Sequence, residues 1–275
     1  NISLRELPSG SSTMTTVKLT DMKNEMHKRD FSIIADTTLS AIKKTTQKNK
    51  KILILSLRYE AEEGVSVNKI HEILTNTLKN CKVAKTEPKK DLEKNFDVLV
   101  ATPYSLETLK LISKRREFEL AVFASIEPLL ALADFRSAQR SFNRLNYWKM
   151  LCQELQIPQI ILQSYSPDNL AIRAFAYGEV DAFIKSELAN RKQLNYPPFG
   201  QLIKLTYKHE VPYELDRAIK FLKDNLESSV QILGPFKDKK SQESLLLKVT
   251  QPSTLTPLLS LPHGWAIDRD PENVL

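Results

Sequence analysis

The residues of this chain best suited to chemistry are arginines at helical spacing. Arg136, Arg140 and Arg144 recur every four residues within a segment of helical periodicity, which places them on one face of a helix. Guanidinium groups form paired hydrogen bonds with phosphates and carboxylates, so this stripe suits a phosphate backbone or the acidic groups of a partner. The alternative is a solvated helix face opposite the apolar side.

A second basic stretch follows further along the chain, where Arg191 and Lys192 are adjacent and Tyr196 comes shortly after. Two neighbouring cations suit a phosphate backbone, and a nearby aromatic ring suits a stacked base. The alternative is electrostatic, because the C-terminus of a helix attracts cations through its dipole. Both interpretations stay open from the sequence.

Residues that commonly build enzymatic sites are scattered. No zinc site can be drawn from four dispersed histidines and two isolated cysteines. A phosphate loop or a dinucleotide fingerprint needs grouped glycines, and the glycines of this chain stand alone. The six are Gly10, Gly64, Gly178, Gly200, Gly234 and Gly264. The sequence therefore predicts no catalytic residues, no metal ligands and no autonomous nucleotide hydrolysis.

Composition is that of an ordinary globular protein, with 41% hydrophobic and 27% charged residues. The formal net charge of +7 is compatible with a polyanion such as DNA, and alternatively with a well-solvated basic surface. No apolar run approaches the ~18 residues of a membrane span, and the two cysteines fit a reducing compartment. We therefore expect a cytoplasmic protein with no membrane partner. The first residue, Asn1, is also compatible with a fragment of a longer protein.

Up to about residue 165, buried strands alternate with amphipathic helices. Residues 51–57 and 97–101 are continuous apolar strands of the kind that are buried on both faces. Ser66 precedes a helix whose apolar residues recur at three and four positions, and residues 135–155 have the periodicity of a long helix. This alternation predicts an α/β fold around a mostly parallel sheet.

The remaining residues have a different order of elements. After helices at about 169–177 and 180–194, the order is strand–helix–strand–strand–helix–strand, with the last helix at about 253–259. This is the split βαβ, or ferredoxin-like, arrangement of an α+β domain. We predict a flexible start at residues 1–16, an α/β domain at 17–165 and a smaller domain at 166–275.

Several short phrases resemble the primosomal protein N′ (PriA) family of replication-restart helicases. They occur in the family's order over nearly the whole chain and include residues 134–142 (DFRSAQRSF), 195–202 (NYPPFGQL), 232–235 (ILGP) and 267–271 (IDRDP). By this resemblance, residues 17–165 are a RecA-like second helicase lobe in degenerate form. Residues 166–275 are then the C-terminal domain of the family.

The chain departs from the family at positions that serve catalysis and metal binding. Between Arg58 and Gly64 the family carries a cysteine-rich zinc-binding insertion, which is missing here. Residues 146–153 (NYWKMLCQ) stand where the family has the arginines that contact ATP phosphates. Arginines of this kind supply about 10³- to 10⁵-fold in phosphoryl-transfer rate. We therefore expect neither the ATP and magnesium nor the zinc of the family to bind, and the family's first lobe, with its phosphate loop, lies outside these residues.

The resemblance implies sequence-independent binding of forked or single-stranded DNA in replication restart, at the bacterial nucleoid. The implied partners are single-strand binding protein and other primosome proteins. The candidate DNA-binding residues are Arg136, Arg140, Arg144, Arg191, Lys192, Tyr196, Phe199 and Lys204, of which Tyr196 and Phe199 are alternatively core residues. Two other functions stay open: part of an active ATP-dependent 3′-5′ DNA helicase, and a protein-interaction scaffold without DNA binding.

Overall fold

A computed structural model describes residues 15–26, 33–62, 64–86, 95–112, 117–131, 134–207, 212–227, 229–237, 242–250, 255–261 and 264–271. Packing divides the chain into two compact units. The first comprises Asn1–Leu132 and Ala138–Asp181, and the second comprises Ala133–Ser137 and Ala182–Leu275. The sequence boundary near residue 165 stays a prediction, and most of the predicted flexible start lies outside the described residues.

The first unit is built on a six-stranded sheet in the order β1-β6-β5-β2-β4-β3, and every pairing is parallel. The strands are β1 (Thr16–Asp21), β2 (Lys51–Ser56), β3 (Val83–Lys85), β4 (Val98–Ala101), β5 (Phe118–Ser125) and β6 (Gln159–Ser164). The predicted α/β class is confirmed, and this sheet is consistent with a RecA-like lobe.

Helices connect these strands. They are α1 (Met22–Met26), α2 (Asp36–Thr46), α3 (Val67–Thr77), α4 (Ser105–Ile112), α5 (Glu127–Leu130), α6 (Ser137–Glu154) and α7 (Leu170–Tyr177). As predicted, Ser66 caps α3, and its hydroxyl accepts a hydrogen bond from the Lys69 N–H at 3.3 Å. Helix α7 starts after the Asn169 cap and ends at Gly178, whose φ of +77° is the left-handed conformation that glycine adopts readily.

Strand β2 shows why the sheet is covered on both sides. Leu53 and Leu55 point into a core formed with α4 and α6, whereas Ile52 and Ile54 point into a core formed with α2 and α3. Residues 52–56 are all buried, because alternate side chains of a strand enter opposite layers. The continuous apolar run in the sequence is thus explained by burial on both faces.

At the carboxyl edge of this sheet, Glu127 ties β5 to β6. One carboxylate oxygen accepts hydrogen bonds from the Ser164 hydroxyl at 2.9 Å and the Tyr165 N–H at 2.7 Å. The other accepts from the Ile126 N–H at 3.1 Å and the Ser125 hydroxyl at 3.3 Å. A single side chain therefore satisfies four donors where two neighbouring strands end.

We expect Glu127→Gln to lower the free energy of unfolding by about 1–3 kcal/mol. The amide replaces one acceptor oxygen by a donor, which leaves two half-buried donors without their partner. Urea unfolding, monitored by circular dichroism, measures the loss. The control is Glu119→Gln, at an exposed position near the start of β5, for which we expect a change within about 0.5 kcal/mol. Equal effects of the two substitutions would contradict this role of Glu127.

The second unit contains a four-stranded antiparallel sheet in the order β10-β7-β9-β8. Its elements are β7 (Gln201–Tyr207), α9 (Pro212–Asn225), β8 (Val230–Lys237), β9 (Glu243–Val249), a 3₁₀ helix (Thr256–Ser260) and β10 (Trp265–Arg269), and α8 (Val180–Gln193) leads into them. The predicted second domain with its strand–helix–strand–strand–helix–strand order is confirmed, except that the last helix is a short 3₁₀ turn.

The two faces of this second sheet differ in what covers them. Ile203, Leu205 and Leu247 face a core that includes Leu222 of α9. The opposite face has a smaller cluster around Leu202 and Leu246, with partly buried Phe135, Tyr196, Leu233 and Phe236 packed against it. Most of the candidate residues of the second unit lie on or beside this opposite face.

Candidate nucleic-acid interface

Two rings from distant parts of the sequence stack on the sheet of the second unit. The ring centroids of Phe135 and Tyr196 are 4.6 Å apart, and the rings are nearly parallel at 7°. We call these two residues, together with Arg136, Arg191 and Lys248, the aromatic–cation cluster. Aromatic pairs of this kind contribute about 0.5–1.5 kcal/mol beyond the area that they bury.

Cations cover the outer faces of both rings. The guanidinium carbons of Arg136 and Arg191 lie 4.6 Å and 5.2 Å from the Phe135 centroid, and the Lys248 ammonium lies 4.1 Å from the Tyr196 centroid. Each ring therefore has the other ring on one side and a cation on the other. A nucleobase cannot stack on either ring without displacing a cation, so the geometry favours a structural role for Tyr196.

The two arginines of the cluster are held by further hydrogen bonds. Arg136 donates from Nη1 to the Pro271 carbonyl at 2.5 Å, and Arg191 donates from Nε and Nη2 to Glu187 Oε1 at 2.9 Å and 2.7 Å. Only 13% of the Arg191 side chain and 17% of the Glu187 side chain are exposed. A phosphate that contacts Arg191 would have to compete with this half-buried ion pair.

Backbone hydrogen bonds hold the loop that carries Tyr196. The Tyr196 N–H donates to the Arg191 carbonyl at 2.8 Å, and the Phe199 N–H donates to the Tyr196 carbonyl at 2.9 Å. At the end of the loop, a Cβ on Gly200 would lie 2.4 Å from the Asn195 carbonyl oxygen, a distance that only glycine avoids. The loop presents Phe199 outward, with 41% of this residue exposed.

Two lysines lie on the same face of the sheet as the stacked rings. Lys204 of β7 is paired with Leu246, and Lys248 of β9 is paired with Leu202, which makes the two lysines diagonal neighbours. Burial lowers the pKa of Lys248. Asp268 of β10 is paired with Lys204, so this face carries charges of both signs.

The prediction that Arg136, Arg140 and Arg144 lie on one helix is wrong for Arg136. Helix α6 begins at Ser137, and Arg136 lies in the preceding turn, where its N–H donates to Asp134 Oδ1 at 2.8 Å. Arg136 belongs to the second unit because Phe135 packs there. Arg140 and Arg144 are on α6 as predicted, Arg140 half-buried and Arg144 exposed.

Three further observations on the described residues concern metal binding, the buried cysteine and membrane insertion. Among them, no group of three or more His, Cys, Asp or Glu side chains is placed to hold a metal ion. Burial raises the pKa of the Cys152 thiol to about 12, so this cysteine is not a nucleophile near neutral pH. Within the described ranges, no helix is both long enough and apolar enough to cross a membrane.

Sequence reasoning missed Lys248, Glu187 and Pro271 as members of this region. Lys248 breaks an apolar run in a strand, which indicates that it lies at the surface of one sheet face. Glu187 lies four residues before Arg191 on the same helix, a spacing that predicts an ion pair and that was overlooked. The contact of Pro271 with Arg136 joins segments that are distant in sequence, and no local pattern predicts it.

Comparison with known proteins gives similarity to one group. The replication restart protein PriA of Synechocystis sp. is 33% identical over 144 residues, covering 50% of this chain and 17% of that protein. Its counterparts from Bacillus subtilis and Thermotoga maritima are 25% identical over 186 residues and 27% identical over 140 residues, covering 23% and 18% of those proteins. The matches thus span about a fifth of the length of these relatives.

The other comparisons identify neither a family nor a fold for this chain. No family model matches the chain. A solved structure of homoserine dehydrogenase from S. aureus has a TM-score of 0.19 at 10% identity, covering 80% of this chain and 97% of that one, which is too low to support any argument. The matches to several PriA proteins support a PriA-like C-terminal region in this chain.

Proposed function

We propose that this protein acts in replication restart by binding forked or single-stranded DNA without sequence specificity. The observation that carries the proposal is the similarity to replication restart proteins PriA from several bacteria. Other proteins of the primosome, including single-strand binding protein, are the partners that this role requires. The proposed site of action is the bacterial nucleoid.

The geometry suggests which candidate residues contact DNA. Lys192 and Phe199 are exposed on or beside the loop at residues 195–200, whereas both ring faces of Tyr196 are covered. In our proposal, Phe199 stacks on a base and Lys192 contacts a phosphate, while Tyr196 and Arg191 position the loop. Arg144 is an exposed cation of the first unit with the same potential role.

We further propose that these residues do not turn over ATP by themselves. Binding ATP phosphates through the backbone needs grouped glycines, and the six glycines of the chain are isolated. A steady-state assay of phosphate release, with and without forked DNA, tests this part of the proposal. ATP hydrolysis that forked DNA stimulates, and that is lost when the protein is denatured, would overturn this part of the proposal.

Fluorescence anisotropy with a labelled three-strand fork and a blunt duplex of equal length tests DNA binding. We expect the fork to bind at least about tenfold more tightly, which corresponds to about 1.4 kcal/mol. We expect the affinity to fall as salt rises, with a logarithmic slope near −0.9 per phosphate contacted.

Matched variants separate a DNA contact from a general effect on folding. Phe199→Ala is expected to weaken fork binding by about 1–3 kcal/mol, the range found for base stacking on aromatic side chains. Tyr196→Phe keeps the ring stack and should leave fork binding unchanged. No binding of either DNA at low salt would overturn the DNA proposal and would favour a protein-interaction scaffold.

A further inference from the structure

The first unit has a topological switch point between β2 and β5. These strands are neighbours in the sheet, yet the chain leaves their carboxyl ends in opposite directions. After β2 it enters α3, which packs on one face, and after β5 it enters α5 and then α6, which pack on the other. Loops that separate in this way leave a crevice outside the strand ends, which is where open α/β sheets bind ligands.

A cavity of about 560 Å³ occupies this crevice. The size is within the range of small-molecule sites. Its walls come from the segment after β2, the start of α3, the end of β5 with α5, and the residue after β6. The lining residues include Arg58, Val65, Lys69, Glu127, Pro128 and Tyr165.

Two cations at this cavity are available to an anionic group. Arg58 is exposed, and in the described part of the chain its guanidinium makes no hydrogen bond or ion pair. Lys69 uses one donor on the Glu62 carbonyl at 2.8 Å, so two donors of its ammonium remain. Both cations line the same cavity, and a guanidinium binds a phosphate through two hydrogen bonds.

Glu127 is the one carboxylate among the described lining residues, and it is not a competing ligand. Both oxygens of Glu127 already accept two hydrogen bonds each, from the donors that tie β5 to β6. Burial and the charge of Glu127 raise the pKa of Tyr165, so its phenol stays neutral. Val65 and Pro128 supply an apolar wall beside these polar groups.

We infer that the crevice between β2 and β5 binds the phosphate group of a small phosphorylated ligand, with Arg58 and Lys69 holding the phosphate and Val65 and Pro128 contacting the body of the ligand. This inference is independent of the proposed DNA binding, because it rests on residues of the first unit that were not among the DNA-binding candidates. A terminal phosphate of a DNA strand has the same chemistry and is the second source to distinguish.

Isothermal titration calorimetry with AMP, adenosine and a single-stranded decamer with and without a 5′-phosphate tests the inference on the full chain. We expect AMP to bind and adenosine to bind at least about tenfold more weakly, because the phosphate supplies the charge-assisted hydrogen bonds. Binding of the decamer only when phosphorylated would assign the phosphate to a DNA end. If neither AMP nor the phosphorylated decamer binds, the inference is wrong.

Substitutions at the two cations test whether AMP binds in this crevice. Arg58→Gln and Lys69→Gln should each weaken AMP binding at least about tenfold, and Arg58→Lys should weaken it less, because charge is kept while the paired geometry is lost. Arg217→Gln removes an exposed arginine from α9 of the second unit and should change nothing. Circular dichroism verifies that each variant is folded. Loss of AMP binding in Arg217→Gln to the same extent would overturn the assignment.

Discussion

Gly200→Ala is expected to destabilise the second unit by about 3 kcal/mol, the upper part of the range for overpacking. The added Cβ would lie 2.4 Å from the Asn195 carbonyl oxygen and 3.2 Å from the Val249 carbonyl oxygen. Both neighbours are backbone atoms, one in the loop and one in a central strand, so neither can rotate away as a side chain would. Relief requires the loop to move away from β9.

The two tryptophans of the chain allow this loss to be assigned to one unit. Trp148 is in α6 of the first unit, and Trp265 is in β10 of the second. In a Trp148→Phe background, the fluorescence of Trp265 reports urea unfolding of the second unit. We expect the midpoint of that transition to fall in Gly200→Ala.

Gly178→Ala is the matched control. A Cβ on Gly178 meets nothing within 4 Å, and the only penalty is its φ of +77°. We expect a loss of about 1–2 kcal/mol, reported by Trp148 in a Trp265→Phe background. If Gly200→Ala costs no more than Gly178→Ala, the close approach of Gly200 to the Asn195 carbonyl is not what holds the loop.

The fold was predictable where local signals agreed with burial. Residues 51–57 form one apolar run, and β2 is buried on both faces as such a run requires. Ser66 marks a helix start in the sequence and caps α3 as predicted, and the helix predicted at about 169–177 starts after Asn169 and ends at Gly178. Periodicity over residues 253–259 was misleading, because the described part of this segment forms only a 3₁₀ turn over Thr256–Ser260.

The start of α6 could not be predicted from periodicity. Phe135 has the spacing of an apolar helix residue relative to Phe142, so the sequence predicts a helix that includes it. Instead it precedes the helix and stacks on Tyr196, which is far away in sequence. Local propensity is a weak prior, and a tertiary contact of this kind overrides it.

The candidate site could be predicted only in part, because tertiary contacts again decide the role of its residues. Residue type identified the cations and aromatics, but whether each of them is available to DNA depends on its partners. The pairing of Arg191 with Glu187 is a four-residue spacing on one helix that the sequence does show. The cover of Tyr196 by Phe135 and Lys248 comes from segments that are distant in sequence and could not be predicted. Phe199 is left as the exposed ring, and nothing in its sequence context distinguishes it from Tyr196 three residues earlier.

Phe135→Ala is expected to destabilise the second unit by about 2–3 kcal/mol, below the range for a fully buried phenylalanine because this ring is half-buried. The substitution removes the stack on Tyr196 and the surface on which Arg136 and Arg191 lie. Urea unfolding in the Trp148→Phe background measures the loss through Trp265.

A double-mutant cycle isolates the ring contact. Tyr196→Leu and the double variant with Phe135→Ala should give a coupling energy of about 0.5–1.5 kcal/mol. Phe142→Ala is the control, since Phe142 is also half-buried but packs against the core of the first unit. Phe142→Ala should lower the urea midpoint reported by Trp148 fluorescence and leave the midpoint reported by Trp265 fluorescence unchanged. If Phe135→Ala behaves like Phe142→Ala instead, residues 134–136 do not fold with the second unit, and Tyr196 would have a ring face open to DNA after all.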